Sequence, residues 1–255
     1  MPLLRIEGLT HYFGGLKAVS DFNLSLEERE VVGLIGPNGA GKTTVFNLIT
    51  GVYRPTSGLI RFEGRDLVGM ASCDIVSMGV ARTFQTIRLF RELSVLDNVR
   101  IGHFSQARYN VVHALFRARS FYREEERIRD KAYELLETFN LARYADSPAK
   151  ALPYGEQRRL EIARALASNP KVLLLDEPAA GMNPHEIDRL LETIAWLKDR
   201  FGLTILLIEH QMRVVMGICE RILVLDFGET IAEGTPGEIQ ANPRVLEAYL
   251  GKEAS

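Results

Sequence analysis

Cysteine, tryptophan and long apolar runs are what this chain of 255 residues has least of: it holds two cysteines, one tryptophan, and apolar stretches no longer than Val172–Leu175 or Leu203–Ile208. Such stretches fall far short of the about 18 to 20 apolar residues that carry a helix across a bilayer, so no membrane-spanning helix is expected. Cys73 and Cys219 make neither a CxxC pair nor a disulfide framework. That excludes a disulfide-stapled scaffold, suits a reducing compartment and leaves both thiols a structural role. Charge of neither sign is in excess: Lys and Arg number 31 against 33 for Asp and Glu, a formal net charge of -2. No overall basic field therefore draws the chain to acidic lipid, and no nucleic acid partner is expected. Internal repeats, low-complexity tracts and Pro/Ser-rich linkers are missing too, which excludes a repeat array and a tethered module. The opening residues bring a charge at Arg5 with no apolar stretch behind it, so a secretory signal is not expected there.

What is present is the composition of an ordinary soluble protein, 46% apolar and 25% charged, at a length that suits one α/β domain with a smaller satellite. Short apolar runs recur at Leu24–Leu26, Val31–Ile35, Val172–Leu175, Thr204–Ile208 and Ile222–Leu225. Their length and branched residues predict buried strands, and the helix-compatible segments between them predict a largely parallel sheet covered by helices. From Thr86 to Ala151 strand-like runs vanish and a charged stretch, Phe116–Tyr144, takes over. Ile128, Ala132, Leu135, Leu136 and Phe139 follow the spacing of one helix face, with Glu125 and Arg129 one turn apart. Residues 86–151 are thus expected to be a helical subdomain inserted in an α/β core of residues 1–85 and 152–235, with 152–168 packing at its edge. Residues 236–255, opened by the turn signals Gly234-Thr235-Pro236-Gly237, are expected to form a C-terminal helix.

Gly36-Pro37-Asn38-Gly39-Ala40-Gly41-Lys42-Thr43 fits the pattern GxxxxGK[ST] and sits between the Val31–Ile35 strand and a helix-compatible segment beginning at Thr44. Glycines let such a loop fold back so that several N–H groups face one point, and the helix start behind it adds positive potential. Lys42 then neutralises phosphate and Thr43 offers a hydroxyl to Mg²⁺, so a nucleoside triphosphate is the expected guest. The strand Val172–Leu175 runs into Asp176, Glu177 and Pro178, which places two carboxylates at the carboxyl edge of the sheet, where α/β proteins bind ligands. Asp176 is expected to hold Mg²⁺, directly or through water, and Glu177 to act as base for a water attacking the γ-phosphate. A guanine-reading Asn-Lys-x-Asp motif is missing, which counts against a GTPase.

With these residues in place, the chain resembles the nucleotide-binding subunits of ATP-binding cassette (ABC) transporters along nearly its whole length. That family orders a phosphate loop, a glutamine loop, a signature loop, an Asp-Glu strand, a D-loop and a switch histidine. The matching positions here are Gly36–Thr43, Gln85 within Arg82–Thr86, Leu152–Gln157, Val172–Glu177, Ala180–Asn183, and His210 within Leu207–Gln211. The resemblance implies an α/β P-loop fold of ABC type, with a mixed sheet core and an inserted helical subdomain. It implies ATP as the guest, held by Gly36, Pro37, Asn38, Gly39, Ala40, Gly41, Lys42, Thr43, Thr44 and Asp176. Gln85 would complete the Mg²⁺ shell set by Thr43 and Asp176 or touch the attacking water, and His210 would sense the γ-phosphate. With Lys42 and Glu177 these two make the implied catalytic set. Phe13 is the better-placed aromatic to stack on adenine and Tyr12 the alternative, since the base needs only a π surface.

The signature loop departs from the family's Leu-Ser-Gly-Gly-Gln: Pro153 stands for serine, Tyr154 for the first glycine and Glu156 for glutamine, while Gly155 is kept. Pro153 offers neither hydroxyl nor N–H to ATP on an opposite subunit, so the composite site this loop completes is expected to be the weaker of two. In the D-loop Asn183 replaces the usual aspartate, which leaves the acidic role there open. The segments Tyr12–Val19, Leu152–Arg164 and Glu177–Pro184 narrow the resemblance to the ATPases of branched-chain amino-acid importers, in particular the larger of their two types. Importers of urea or amides are close competitors, and a soluble ABC ATPase is the remaining alternative. The resemblance implies a head-to-tail pair with a second ATPase subunit, of the same or a different kind, and two membrane permease subunits. It further implies an extracytoplasmic solute-binding protein acting through the permeases, and a place on the cytoplasmic face of the cell membrane.

Overall fold

The computed structural model describes residues 1–106 and 119–250; residues 116–118 of the charged stretch and 251–255 of the expected C-terminal helix lie outside them. The chain divides into two compact units, one of Met1–Ile75 with Lys171–Ser255 and one of Val76–Pro170. The first begins with β1 (Leu4–Phe13), β2 (Leu16–Leu26), β3 (Val31–Ile35), α1 (Lys42–Ile49), β4 (Ser57–Phe62) and β5 (Arg65–Asp66). Helix α2 (Ser72–Met78) runs across the boundary, and the second unit holds β6 (Val80–Arg82), α3 (Val95–His103), α4 (Arg119–Thr138) and α5 (Tyr154–Leu166). The first unit resumes with β7 (Val172–Asp176), α6 (Pro184–Phe201), β8 (Thr204–Ile208), α7 (Met212–Ile218), β9 (Arg221–Asp226), β10 (Glu229–Gly234), α8 (Pro236–Gln240) and α9 (Pro243–Leu250).

In the first unit β3 lies parallel between β8 and β9, β7 follows parallel on β8, and β10 closes on β9 antiparallel. Every residue of β3, β7 and β8 is buried, which is why these strands read as unbroken apolar runs. A second, antiparallel sheet in the order β2-β1-β4-β5 makes the core mixed. Its strands bury one face, so Phe22, Leu24 and Leu26 alternate with exposed Asp21, Asn23 and Ser25. Of this sheet the apolar-run reading reached only Leu24–Leu26. Phe22, Phe46 and Phe62 are fully buried, each stabilising the unit by about 1.5–3 kcal/mol relative to exposure.

The helical unit is larger than residues 86–151: it takes in β6, the Gln85 segment and the whole of α5, so the signature helix belongs to this unit instead of bordering it from the α/β core. The physical reason is a buried ion pair on α5, Arg158 to Glu161 at 3.3 Å. Arg158 donates to the carbonyls of Phe84 at 2.9 Å and Gln85 at 2.5 Å, and Glu161 accepts from the Arg88 N–H at 3.2 Å, which fastens the 84–88 segment to the helix. α3 packs on both α4 and α5. On α4 Ile128, Ala132 and Leu136 are buried and Leu135 is half-buried, Phe139 is buried in the turn just after it, and Glu125 pairs with Arg100 of α3 at 2.6 Å.

The C-terminal segment forms two short helices, not one. Pro243 lacks an N–H and Asn242 accepts from the Arg244 N–H at 3.0 Å, so α9 starts afresh there. Among the described residues no helix is long and apolar enough to cross a membrane.

Candidate functional site

The chain leaves buried β3 at Gly36 and enters α1 through Gly41, whose φ of 100° and position beneath Ala18 demand glycine: a Cβ there would stand 2.4 Å from the Ala18 carbonyl oxygen. Helix α1 has neither a side-chain cap nor an acidic residue in its first turn, so its positive end is left for an anion. Lys42 opens the helix, is buried, and its Nζ donates to the carbonyls of Gly36 at 2.8 Å and Pro37 at 2.9 Å. Phosphate oxygens are better acceptors for the ammonium than these neutral carbonyls.

A cleft of about 370 Å³ opens over this loop. Asn38–Thr44 line it together with Phe13, Leu16, Glu177 and Phe227, and Tyr12 does not. The Phe13 ring is set edge-on against Tyr53 at 5.2 Å and His11 at 4.7 Å, which fixes its orientation while leaving it partly exposed. Burial pushes the Tyr249 phenol of α9 up, and the Asp226 carboxylate adds to that shift.

Asp176 ends β7 and is buried, whereas Glu177 steps out with a φ of 44°. Left-handed backbone is strained for glutamate and persists because the surroundings fix it, here through the Glu177 N–H to the Ile208 carbonyl at 2.9 Å. His210, half-exposed after β8, places Nδ1 3.7 Å from Glu177 Oε2 and 3.9 Å from Glu209 Oε2.

Glu209 is a site residue that the sequence reading missed. Fully buried, it accepts N–H bonds from Ala179 at 2.8 Å, His210 at 3.0 Å and Gln211 at 3.2 Å, and Gln211 Nε2 returns a bond to the Ala179 carbonyl at 2.9 Å. It thereby ties the segment after Glu177 to the segment carrying His210. Its signal was available: Glu209 ends the apolar run of β8 as Asp176 ends that of β7. Nearby Cys219 has its thiol pushed up to about 12, first by burial and then by the Glu209 and Glu220 carboxylates, which suits a structural thiol.

Asn183 is engaged as the cap of α6, accepting from His185 and Glu186 N–H groups at 3.1 Å each, with Glu186 returning a bond to the Asn183 N–H at 2.8 Å. Asparagine and aspartate cap equally well, so the departure from aspartate costs the fold nothing. In the helical unit, Pro153, Tyr154 and Gly155 are exposed at the uncapped start of α5, and Glu156 in its first turn faces Arg159 at 3.3 Å. Gln85 is exposed in the same unit and fastened through its carbonyl to Arg158.

Among the described residues no cluster of three or more His, Cys, Asp or Glu side chains is arranged to hold a metal alone. Mg²⁺ asks for less, one or two carboxylates with substrate phosphates and water, and Asp176 with the Thr43 hydroxyl fits that donor set.

The family model described as ABC transporter matches residues 19–180, and one described as branched-chain amino acid ATP-binding cassette transporter matches residues 229–255. Over 251 residues the chain is 47% identical to BraF of Pseudomonas aeruginosa, a high-affinity branched-chain amino acid transport ATP-binding protein, across 98% of both chains. It is 49% identical to LivG of Escherichia coli, which bears the same description, again over 251 residues and 98% of both. Among solved structures, a nucleotide-free ATP-binding cassette from an ABC transporter matches with a TM-score of 0.84 at 34% identity, over 98% of this chain and 99% of that one. On that near-full-length likeness, the chain belongs to the ABC transporter family and is one of its ATP-hydrolysing subunits.

Proposed function

We propose that this subunit powers an importer of branched-chain amino acids, hydrolysing ATP at the cytoplasmic face of the membrane in a head-to-tail pair with a second ATPase subunit. The likeness to BraF and LivG over 98% of the chain carries the choice of solute. The cleft over Lys42 supports the chemistry. ATP lies with its base on Phe13 and its phosphates against Asn38–Thr44, and Lys42 exchanges its loop carbonyls for phosphate oxygens. Thr43 and Asp176 would hold Mg²⁺, which supplies charge neutralisation at the phosphates. Glu177 takes the proton of the attacking water, His210 bonds the γ-phosphate, and Glu209 keeps both segments in register.

Pro153, Tyr154, Gly155 and Glu156 close on the ATP held by the second subunit, with Asn183 beside the shared interface. Closure over two nucleotides moves two permease subunits, which receive solute from an extracytoplasmic binding protein, and hydrolysis reopens the pair. The test is uptake of labelled leucine, isoleucine and valine by cells of its own species carrying the native chain or Glu177→Gln, with the chain's partners captured from gently solubilised membranes. Loss of uptake and two co-purifying permeases are expected. Loss of urea uptake with leucine uptake intact would reassign the solute, and recovery without any membrane protein would overturn transport.

A further inference from the structure

The turn between β9 and β10 has two central residues with positive φ, Phe227 at 44° and Gly228 at 81°. Two left-handed residues are the pattern of a type I′ hairpin, which selects asparagine or aspartate and then glycine. Gly228 meets that demand, while phenylalanine at the first position crowds its own backbone. The turn is held in place: the Gly228 N–H donates to the Ala40 carbonyl of the phosphate loop at 3.0 Å, and the Gly228 carbonyl accepts from the Ser20 N–H at 2.8 Å. A Cβ on Gly228 would stand 2.7 Å from the Ala18 oxygen, the atom that also confines Gly41. The hairpin is thus fastened both to β2 and to the phosphate loop.

What this fixed turn presents is an aromatic ring in water. Phe227 is 73% exposed and lines the same cleft as Phe13 and Lys42, with Leu16, 69% exposed, on the same lining. Turn chemistry does not ask for a phenylalanine there, and an apolar rim over a phosphate-binding floor suits a ligand with a flat apolar end and an anionic tail.

We propose that Phe227 is a second nucleobase contact of the ATP site, so that the adenine ring is held by two aromatic side chains, Phe13 from the end of β1 and Phe227 from the β9–β10 turn. This rests on the reading of the cleft as the ATP site, and the experiment separates the two. In the full chain Phe227→Asn, which the turn geometry favours, is compared with the native residue for binding of ATP and of inorganic tripolyphosphate, a ligand with the phosphates and no base.

The expected result is an ATP dissociation constant raised on the order of tenfold, as for loss of a base–aromatic stack, with tripolyphosphate affinity and melting temperature held, and near-native ATP affinity for Phe227→Tyr. Unchanged ATP affinity overturns the proposal and leaves Phe227 to a partner subunit's surface; equal weakening of both ligands overturns it in favour of an effect through the phosphate loop. Lys42→Ala is the control for the cleft itself. If that variant binds both ligands as the native chain does, the cleft is not the ATP site and the inference falls with it.

Discussion

Helices α1 and α5 each begin on residues that this family devotes to phosphate, and they begin differently. α1 starts with buried Lys42, no cap and no acid in its first turn; α5 starts on Pro153, equally uncapped, but with Glu156 in its first turn. A helix start carries roughly half a positive charge, which an anion or a nearby carboxylate can satisfy. At α1 no residue of the first turn answers that charge, while at α5 the chain has already supplied a carboxylate of its own. On the proposed head-to-tail pairing, the difference predicts that one chain contributes unequal halves to a composite nucleotide site: a strong grip on its own ATP and a weak one on its partner's.

The sharpest way to break the comparison is at the strong half. Glu177→Gln should lower turnover about 10²- to 10⁴-fold, the range for loss of a general base, while ATP binding and ATP-driven pairing persist; near-normal phosphate release would remove Glu177 from its role. Lys42→Ala should weaken ATP and tripolyphosphate about 10- to 100-fold in a binding titration, the worth of a charge-assisted hydrogen bond. If affinity holds for both ligands, the cleft over α1 is not where the phosphates bind. Glu209→Ala strips three N–H groups of a buried acceptor, and should lower the melting temperature by the equivalent of about 1–3 kcal/mol together with turnover. A variant that melts early yet turns over normally would separate the two segments Glu209 joins.

The helical unit offers a comparison by pH. Burial first, then Lys131 and Arg127, lowers His103 from 6.5 to about 4, and its buried Nε2 has no hydrogen-bond partner among the described residues. The unfolded chain therefore takes up the proton first as pH falls. Stability from this group is complete above 6.5 and is lost between 6.5 and about 4, with no further change below. Melting temperatures measured from pH 7 down to pH 4 should fall less steeply for His103→Gln than for the native chain. Equal slopes would place the acid sensitivity elsewhere.

The phosphate loop, the Asp176–Glu177 pair and His210 share one physical property: they follow or end strands buried on both faces. β3 announces Gly36, β7 announces Asp176 and Glu177, and β8 announces His210, because such strands need unbroken apolar runs. β1, β2 and β4 bury one face and break their runs at every second residue, so that sheet was largely invisible. Arg158 escaped for another reason: it acts through the Phe84 and Gln85 carbonyls more than 70 positions away, and no local pattern records such a contact. The break between α8 and α9 is carried by Asn242-Pro243, a cap and a helix-starting proline inside an otherwise continuous amphipathic spacing.

The smallest expected effect sits at the weak half, where Pro153→Ser and Glu156→Gln restore the family's residues one at a time. Serine would cap α5 and offer a hydroxyl that proline lacks, contributing about 0.5–2 kcal/mol as a cap. Removing the Glu156 charge would give back the α5 start, at about 0.3–1 kcal/mol, less its exposed contact with Arg159. Each change alone should tighten ATP-driven pairing of the assembled ATPase subunits by less than about tenfold, read by the ATP concentration at half-closure, and leave ATP binding to the isolated chain untouched. If both together leave half-closure where it was, α5 does not face the partner's phosphate and the unequal halves collapse into one. If Glu156→Gln alone moves it while Pro153→Ser does not, the carboxylate sets the weakness and the missing hydroxyl is incidental.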